Sequence, residues 1–213
     1  MKYDAIFFDF DGVIVDSVQI KTQVFYEMYL PYGKNIANKA KQHHIENGGV
    51  SRFEKFKVYH KDFLGKKLNN DDLEQLTSEF SLRVKDAVIE SKIVPGVIDL
   101  LEELYNSLDL FIITGTPTEE IIEIIEKRGW TKYFKEILGS PTNKDNWSKY
   151  LLNKYQYNHN KVLFIGDATT DYDAAKLNNF DFALRTHNEN KPLFKNKSVY
   201  KFRDFTEFKL ENI

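Results

Sequence analysis

Five short apolar runs that do not alternate with polar residues constrain the fold of this chain more than any other feature. Two of them read Leu-Phe-Ile-Ile at 110–113 and Val-Leu-Phe-Ile at 162–165. Runs of this length, rich in β-branched and aromatic residues, are typical of strands that are buried on both faces of a parallel sheet. The sequence therefore predicts a parallel sheet, with strands over 5–10, 108–114, 136–139, 161–166 and, more weakly, 182–184.

Helical patterns separate these runs from about residue 95 onward. Residues 97–108 place valine and leucine on one helical stripe after a Pro-Gly turn. The segment Thr116-Pro117-Thr118-Glu119 predicts a helix start, with Thr116 as the N-cap and Glu119 closing a capping box. This alternation of strands and helices predicts right-handed βαβ units and a doubly wound α/β fold.

Residues 16–92 break that alternation and have a helical pattern instead. The spacing Ser51-x-x-Glu54 within them is a second capping-box pattern. The candidate helices of this block span 17–30, 52–64 and 70–90. We expect a helical subdomain inserted after the first strand, which divides the chain into a core over 1–15 and 93–213 and an insert over 16–92.

Composition excludes several classes of protein. The 30 Lys and Arg residues nearly balance the 32 Asp and Glu residues, whereas general nucleic-acid binders usually carry a basic excess. The absence of cysteine excludes disulfides, thiol catalysis and cysteine-ligated zinc. No apolar run approaches the roughly 18 residues of a membrane span, and acids interrupt the first apolar stretch, unlike in a signal peptide. We expect a cytoplasmic protein with neither a nucleic-acid nor a membrane partner.

Charged and hydroxyl side chains follow four of the predicted strands. Each group has an ordinary structural explanation on its own: a solvated turn, a helix cap, a plain strand–helix turn or a surface lysine. Together, however, they lie at the carboxyl ends of parallel strands, which is the edge where open α/β sheets bind ligands. In chain order they are Asp9 and Asp11, Thr114 and Gly115, Lys144, and Asp167 and Asp171.

The chemistry of these residue types is complementary. Asp9 and Asp11, two residues apart after a buried strand, would repel each other unless a cation or a shared proton held them. A hydroxyl, a glycine and a helix N-terminus at 114–116 would attract an anion. Acids with a bound Mg²⁺, together with Lys144 and free backbone N–H groups, could hold a phosphate group at one crevice.

The order of these motifs resembles the haloacid dehalogenase superfamily. The matching elements are Asp9-x-Asp11-Gly12-Val13, then Thr114, then Lys144, then Gly166-Asp167-x-x-x-Asp171, and they cover nearly the whole chain. The stretch at 8–17 is similar to the branch of phosphoglycolate phosphatases and β-phosphoglucomutases. That branch carries a helical cap after its first strand, which matches the predicted insert.

The resemblance implies a role for each matched residue. Asp9 would attack phosphorus to form an aspartyl-phosphate, and Asp11 would protonate the leaving alkoxide and then activate water. Mg²⁺ would be bound by the carboxylates of Asp9 and Asp167 and by the backbone carbonyl of Asp11. The remaining roles are phosphate binding by Thr114 and the Gly115 N–H, charge neutralisation by Lys144, and support of the metal or of Lys144 by Asp171.

Some positions depart from the pattern or leave alternatives open. Many relatives place a proline after the lysine, which Lys144 lacks, so Lys149 stays a second candidate. Asp173 follows Asp171 closely and is a second candidate for the last acid. In the cap, Arg52 is the candidate substrate contact, because a Gly-Val-Ser-Arg stretch in mutase-like relatives contacts a remote phosphate. Its alternative is a solvated arginine in a first helical turn.

The resemblance implies a Mg²⁺-dependent phosphatase that acts on a small phosphorylated metabolite. Asp11 argues against dehalogenation, because a halide leaving group needs no proton. Relatives that cleave phosphonates use a cap lysine as a Schiff base, and Lys21, Lys39 and Lys41 are available by residue type alone. The alternatives are a β-phosphoglucomutase-like sugar phosphomutase and a non-catalytic phosphate sensor.

Overall fold

The computed structural model describes residues 2–213, so that residue 1 of the predicted core segment 1–15 lies outside the described residues. Its centre is a six-stranded sheet with strand order β3-β2-β1-β4-β5-β6, in which every pairing is parallel. The predicted α/β fold class is confirmed. The strands are β1 Ala5–Phe8, β2 Asp109–Pro117, β3 Glu136–Ser140, β4 Val162–Gly166, β5 Asp181–Arg185 and β6 Tyr200–Phe202.

Helices cover both faces of the sheet. Along β1, Ile6 and Phe8 belong to one apolar cluster, whereas Ala5 and Phe7 belong to another on the opposite face. The first cluster includes side chains of α5 Val97–Leu104 and α6 Thr118–Lys127, and the second includes side chains of α7 Lys144–Tyr155 and α8 Thr169–Leu177. Burial on both faces explains why the strands are apolar without alternation.

Four helices and a π-helical turn at Tyr59–Phe63 lie between β1 and α5. Aromatic rings fill the space between them, with the Phe25 ring centroid 4.4 Å from that of Phe80 and 5.6 Å from that of Phe56. Three of the helices overlap the segments expected from the sequence. The helices are α1 Val18–Tyr29, α2 Lys34–Glu46, α3 Arg52–Val58 and α4 Asn70–Ile89.

Two elements have no counterpart in the sequence-based prediction. Helix α2 buries only Ala37, Ala40 and His44, so it lacks the large apolar stripe that marks an amphipathic helix. Strand β6 is a three-residue strand at the sheet edge and is only partly buried, so it forms no continuous apolar run.

The predicted start of α6 is wrong at Thr116. Strand β2 continues to Pro117, which occupies the N-cap position without a side-chain hydrogen bond. The Thr116 hydroxyl instead donates to Asp11 Oδ2 at 2.9 Å and accepts from Lys21 Nζ at 2.8 Å. A hydroxyl between two largely buried charges contributes more there than as a helix cap, because charge-assisted hydrogen bonds are the stronger kind. At α3, Ser51 accepts from the Glu54 N–H as predicted, but the Glu54 side chain pairs with Lys57.

No helix within residues 2–213 has the length and apolar character needed to cross a membrane.

Candidate active site

The carboxyl ends of the central strands bring the predicted acids and the lysine together. Lys144, at the start of α7, places its Nζ 2.9 Å from Asp9 Oδ2 and 2.5 Å from Asp171 Oδ1. The Asp9 N–H donates to the Ile165 carbonyl at 2.9 Å, which holds the end of β1 beside the end of β4. Thr114 and Asp167 are buried at the same edge. Residues more than 150 positions apart in the chain therefore form one cluster, because the strands are parallel and adjacent.

The competing candidates for two of these positions lie elsewhere. Lys149 is exposed and pairs with Asp145 one helical turn away, so it does not replace Lys144. Asp173 is exposed, whereas Asp171 is completely buried. Asp171 Oδ2 also accepts from the backbone N–H groups of Asp167 and Ala168, at 3.2 and 2.9 Å. Asp171 thus holds the Lys144 ammonium and the first turn of α8 in one arrangement.

A group of three buried carboxylates offers oxygen ligands for a divalent cation, although Asp171 of the three already accepts from Lys144 and from two backbone N–H groups. Oxygen atoms of Asp9, Asp167 and Asp171 all lie within 4.8 Å of one another. Burial raises the pKa of Asp9 to about 7, against the opposing effect of Lys144 and with further raising by Asp171 and Asp11. Burial also raises the pKa of Asp167 above its usual value. Crowded carboxylates of this kind are hard oxygen ligands, and their cost in a dry site falls when a hard cation binds. The residues present therefore fit Mg²⁺.

Asp11 points away from that group toward the helical insert. Its carboxylate accepts from Ser17 Oγ and Lys21 Nζ, each at 2.5 Å, and from Thr116 Oγ1 at 2.9 Å. Burial by itself would raise the pKa of Asp11, but the Lys21 ammonium and the hydroxyl hydrogen bonds outweigh burial and lower it. Lys39 and Lys41 are exposed. Ser17 and Lys21 were not singled out from the sequence, although their spacing of four residues places them on one helix face directly after the first motif.

Glycines allow the helical insert to lie close to the sheet edge. Gly12 has a φ of +78°, and a Cβ there would overlap the Asp167 carboxylate. A Cβ on Gly115 would overlap the carbonyl of Gly49 in the loop between α2 and α3. Thr170 Oγ1 donates to the Gly48 carbonyl at 3.1 Å in the same region. The loop therefore covers the sheet edge and forms part of a cavity above Asp9, Asp11, Thr114 and Gly115.

Arg52 lines this cavity but is already paired. Its guanidinium makes two hydrogen bonds with the Glu120 carboxylate of α6, at 2.5 and 2.9 Å, and donates to Ser81 Oγ at 2.6 Å. It also lies over the Phe80 ring at 4.6 Å. Only 4% of Arg52 is exposed, which excludes the alternative of a solvated first-turn arginine. The pair joins α3 to α6, and with Ser81 it uses three of the five N–H donors of the guanidinium.

Three further groups at the cavity were missed by sequence reasoning. His187 Nε2 lies 2.8 Å from Asp167 Oδ2, and Asn190 Nδ2 donates to the Asp167 carbonyl at 2.8 Å. Both residues follow β5, where no motif in the sequence marks them. Lys55 of α3 also lines the cavity, and it is buried without a carboxylate partner among residues 2–213.

Comparisons with known proteins agree with this fold. A family model described as haloacid dehalogenase-like hydrolase matches residues 6–184. A phosphoglycolate phosphatase from Pasteurella multocida is 26% identical over 97% of this chain and 96% of its own. One from Vibrio parahaemolyticus is 34% identical, but the match covers 40% of each chain. The solved structure of β-phosphoglucomutase from Clostridium difficile superimposes with a TM-score of 0.78 at 20% identity, covering 99% of this chain and 95% of that one. At that identity the structural match shows the fold alone.

Proposed function

The chain belongs to the haloacid dehalogenase-like hydrolase family, and on that premise we propose that it is a Mg²⁺-dependent phosphatase of a small phosphorylated metabolite. The observation that carries the proposal is the buried bridge from Lys144 to Asp9 and Asp171 beside Asp167. It gathers a carboxylate nucleophile, a cation and a set of metal ligands at one strand edge. The phosphoglycolate phosphatases among the relatives support the same reaction class.

We assign the nucleophile to Asp9, which forms an aspartyl-phosphate as the P–O bond to the leaving group breaks. A phosphate dianion and a carboxylate repel each other, and the Lys144 ammonium 2.9 Å from Asp9 reduces that repulsion. In this proposal the Thr114 hydroxyl and the Gly115 N–H, which line the cavity, hold phosphate oxygens. In this proposal Asp171 acts on the reaction through Lys144, which it positions.

The carboxylates of Asp9 and Asp167 and the backbone carbonyl of Asp11 would hold Mg²⁺. When bound, Mg²⁺ supplies positive charge that offsets the repulsion between the phosphate and the acidic cluster. His187 and the Asn190 amide would orient Asp167 through the contacts described above.

Asp11 takes the proton-transfer role in the proposal. Its contact with Lys21 favours the ionised carboxylate, which is the form that accepts a proton from the attacking water. Protonation of the leaving alkoxide needs the neutral acid, so Lys21 must release Asp11 when substrate enters. A second carboxyl group with this role suits an alkoxide leaving group and has no use in dehalogenation.

We also propose that residues 16–92 form a cap over a core made of 1–15 and 93–213. The two connections between these parts run side by side, since Val15 bridges Ile93 in antiparallel fashion. The Asp16 N–H donates to the Lys92 carbonyl at 2.8 Å. Two adjacent connections of this kind would let the helical part tilt as a unit.

The proposed reaction is tested by phosphate release from a panel of phosphomonoesters, with and without Mg²⁺, while rearranged products are measured in parallel. We expect Mg²⁺-dependent release of inorganic phosphate. An isomerised product that needs a bisphosphate activator would identify a phosphomutase instead. Absence of turnover together with phosphate binding would identify a sensor.

The metal assignment has its own test. Calorimetric titration with Mg²⁺ should show binding that Asp167→Ala weakens by about 10-fold or more, because even supporting residues of metal sites are worth that much. Asp173→Ala, which changes an exposed aspartate nearby, is the matched control and should bind Mg²⁺ like the wild type. Equal Mg²⁺ affinity in Asp167→Ala would remove Asp167 from the ligand set.

A further inference from the structure

Arg185 is a buried cation that no step of the proposed reaction uses. It is the last residue of β5, and only 8% of it is exposed. Its Nη1 donates to the Gly12 carbonyl at 3.1 Å and lies 2.7 Å from Asp16 Oδ1. Its Nε donates at 3.0 Å to the carbonyl of Arg203, which follows β6. The guanidinium therefore joins the end of β5 to the segment after β1 and to the segment after β6.

One of these contacts reaches a connection between the core and the helical insert. Asp16 is the first residue of the insert, and its N–H donates to the carbonyl of Lys92 on the returning connection at 2.8 Å. Because 43% of the Asp16 side chain is exposed, water can take the place of Arg185 there, so the pair can break and re-form as the insert tilts. A change in the position of the insert therefore acts on Arg185 through Asp16.

The other contacts of Arg185 lead to Asp167, the proposed metal ligand. The Arg185 carbonyl accepts from Asn190 Nδ2 at 2.9 Å, and the same nitrogen donates to the Asp167 carbonyl at 2.8 Å. Gly12, whose carbonyl Arg185 holds, packs so closely on Asp167 that a Cβ at Gly12 would lie 2.4 Å from Asp167 Oδ2. Only 3% of Asn190 is exposed. Arg185 therefore holds two of the groups that pack against Asp167.

We propose that Arg185 is a positioning residue that couples the hinge at Asp16 to the metal ligand Asp167, so that Mg²⁺ binds more tightly when the insert covers the sheet edge. This inference rests on the proposed metal site and on the proposed cap. The network is complete in the arrangement described here, in which the loop between α2 and α3 lies over the strand ends. By linkage, an arrangement of the insert that favours Mg²⁺ is in turn favoured by Mg²⁺.

The sign of the effect on Mg²⁺ affinity tests the role of Arg185. Removal of a positive charge near the site would by itself strengthen the binding of a divalent cation. We expect Arg185→Met instead to weaken Mg²⁺ binding by about 10-fold or more, because supporting residues of metal sites are worth that much. Calorimetric titration measures the affinity. The matched control is Arg203→Met, an exposed neighbour whose backbone and not its side chain contacts Arg185, and it should not weaken Mg²⁺ binding.

A double-mutant cycle tests the coupling to the hinge. Asp16→Ala breaks the same pair from the side of the insert, and we expect a smaller loss of Mg²⁺ affinity than in Arg185→Met. The double variant should bind Mg²⁺ as weakly as Arg185→Met alone, because substitutions that remove one shared contact are not additive. If only charge mattered, the two substitutions would have opposite effects and would cancel in the double variant, which would overturn the inference.

The position of the insert is measured with spin labels. The chain contains no cysteine, so Lys39→Cys on α2 and Asn153→Cys on α7 provide one exposed labelling site in the insert and one in the core. We expect Mg²⁺ to shift the distribution of distances between the labels when Arg185 is present, and the shift to disappear in Arg185→Met. A shift that persists in Arg185→Met, or one that is absent even with Arg185 in place, overturns the coupling.

Further controls separate this inference from a structural role and from the proposed function. Thermal unfolding that Arg185→Met lowers, with Mg²⁺ affinity intact, would show a purely structural role. Mg²⁺ binding that Asp167→Ala weakens and Arg185→Met does not overturns this inference alone and leaves the proposed function standing. If the wild type binds no Mg²⁺, the proposed metal site fails first. Arg185→Lys is the second variant if Arg185→Met does not fold, and it should also weaken Mg²⁺ binding, because an ammonium keeps the charge but not the fork of donors.

Discussion

The cavity has two walls that differ in charge and in origin. The sheet-edge wall contributes the carboxylates of Asp9, Asp11 and Asp167 from the ends of adjacent strands. The helical wall contributes the cations Lys21, Arg52 and Lys55, and among the lining residues of α1–α4 that the structure describes there is no carboxylate. The difference separates two tasks. In the proposed function, the strand ends hold the reacting groups in a fixed register, whereas the helices present charges that can select a substrate.

The largest effect is expected from a substitution in the sheet-edge wall. Asp9→Asn removes the proposed nucleophile but preserves the shape of the side chain, so kcat should fall at least about 10³-fold for every substrate. The measurement is steady-state phosphate release, with thermal unfolding as the check on the fold. Substantial residual turnover in a folded variant would assign the nucleophile to another residue and remove the proposed division between the walls.

The next largest effect is expected on stability, from the pair that joins Arg52 of the helical wall to Glu120 of α6. Arg52→Ala leaves Glu120 buried without its partner, and we expect the free energy of unfolding to fall by about 3–5 kcal/mol. Urea denaturation measures this free energy of unfolding. Arg83→Ala breaks an exposed pair with Glu79 on α4 and is the control, with an expected change of at most about 1 kcal/mol. If the two variants lost equal stability, the buried Arg52–Glu120 pair would contribute no more to the fold than an exposed pair does.

A smaller effect concerns pH and sharpens the contrast between paired and unpaired cations. The pKa of Lys55 is about 7 in the folded protein, below its ordinary value of 10.5. Between these values the unfolded chain binds more protons, so the cost of burying Lys55 is fully present below pH 7 and is relieved as the pH rises. Relative to Lys55→Met, the wild type should therefore gain about 1–3 kcal/mol of stability between pH 7 and pH 9. Urea denaturation of both proteins at these pH values gives the difference, and a constant difference would contradict a lowered pKa.

Most of the sheet could be predicted because its strands are buried on both faces. The apolar runs around Phe7, Ile112 and Phe164 mark β1, β2 and β4 within a few residues. The edge strand β6 and the polar helix α2 bury too few apolar side chains to leave such a pattern. Thr116 shows a different limit, since local capping rules predicted its role and a distant carboxylate, that of Asp11, decided it.

The candidate site follows the same division. Motif spacing and strand order were enough to place Asp9, Lys144 and Asp167 at one edge, because the carboxyl ends of adjacent parallel strands meet there. Nothing in the sequence distinguished Lys21 and Lys55 from exposed lysines such as Lys39. Their environment depends on which helix face turns inward, and that is settled by packing.

By itself, the sequence determined the parallel sheet, three of the four helices between β1 and α5 and the chemical types gathered at the strand ends, since these follow from short-range periodicity and chain order. Only the tertiary structure decided which charges are partners. Arg52 pairs with Glu120, which lies 68 positions away in the chain, and Lys144 pairs with Asp171, which lies 27 positions away. Because both pairs are buried, water does not screen the attraction between the partners. Lys55 and Lys57 of the same helix differ in burial, and the tertiary structure decided that difference too. Water screens an exposed charge, but a buried one interacts with whatever the fold has placed beside it.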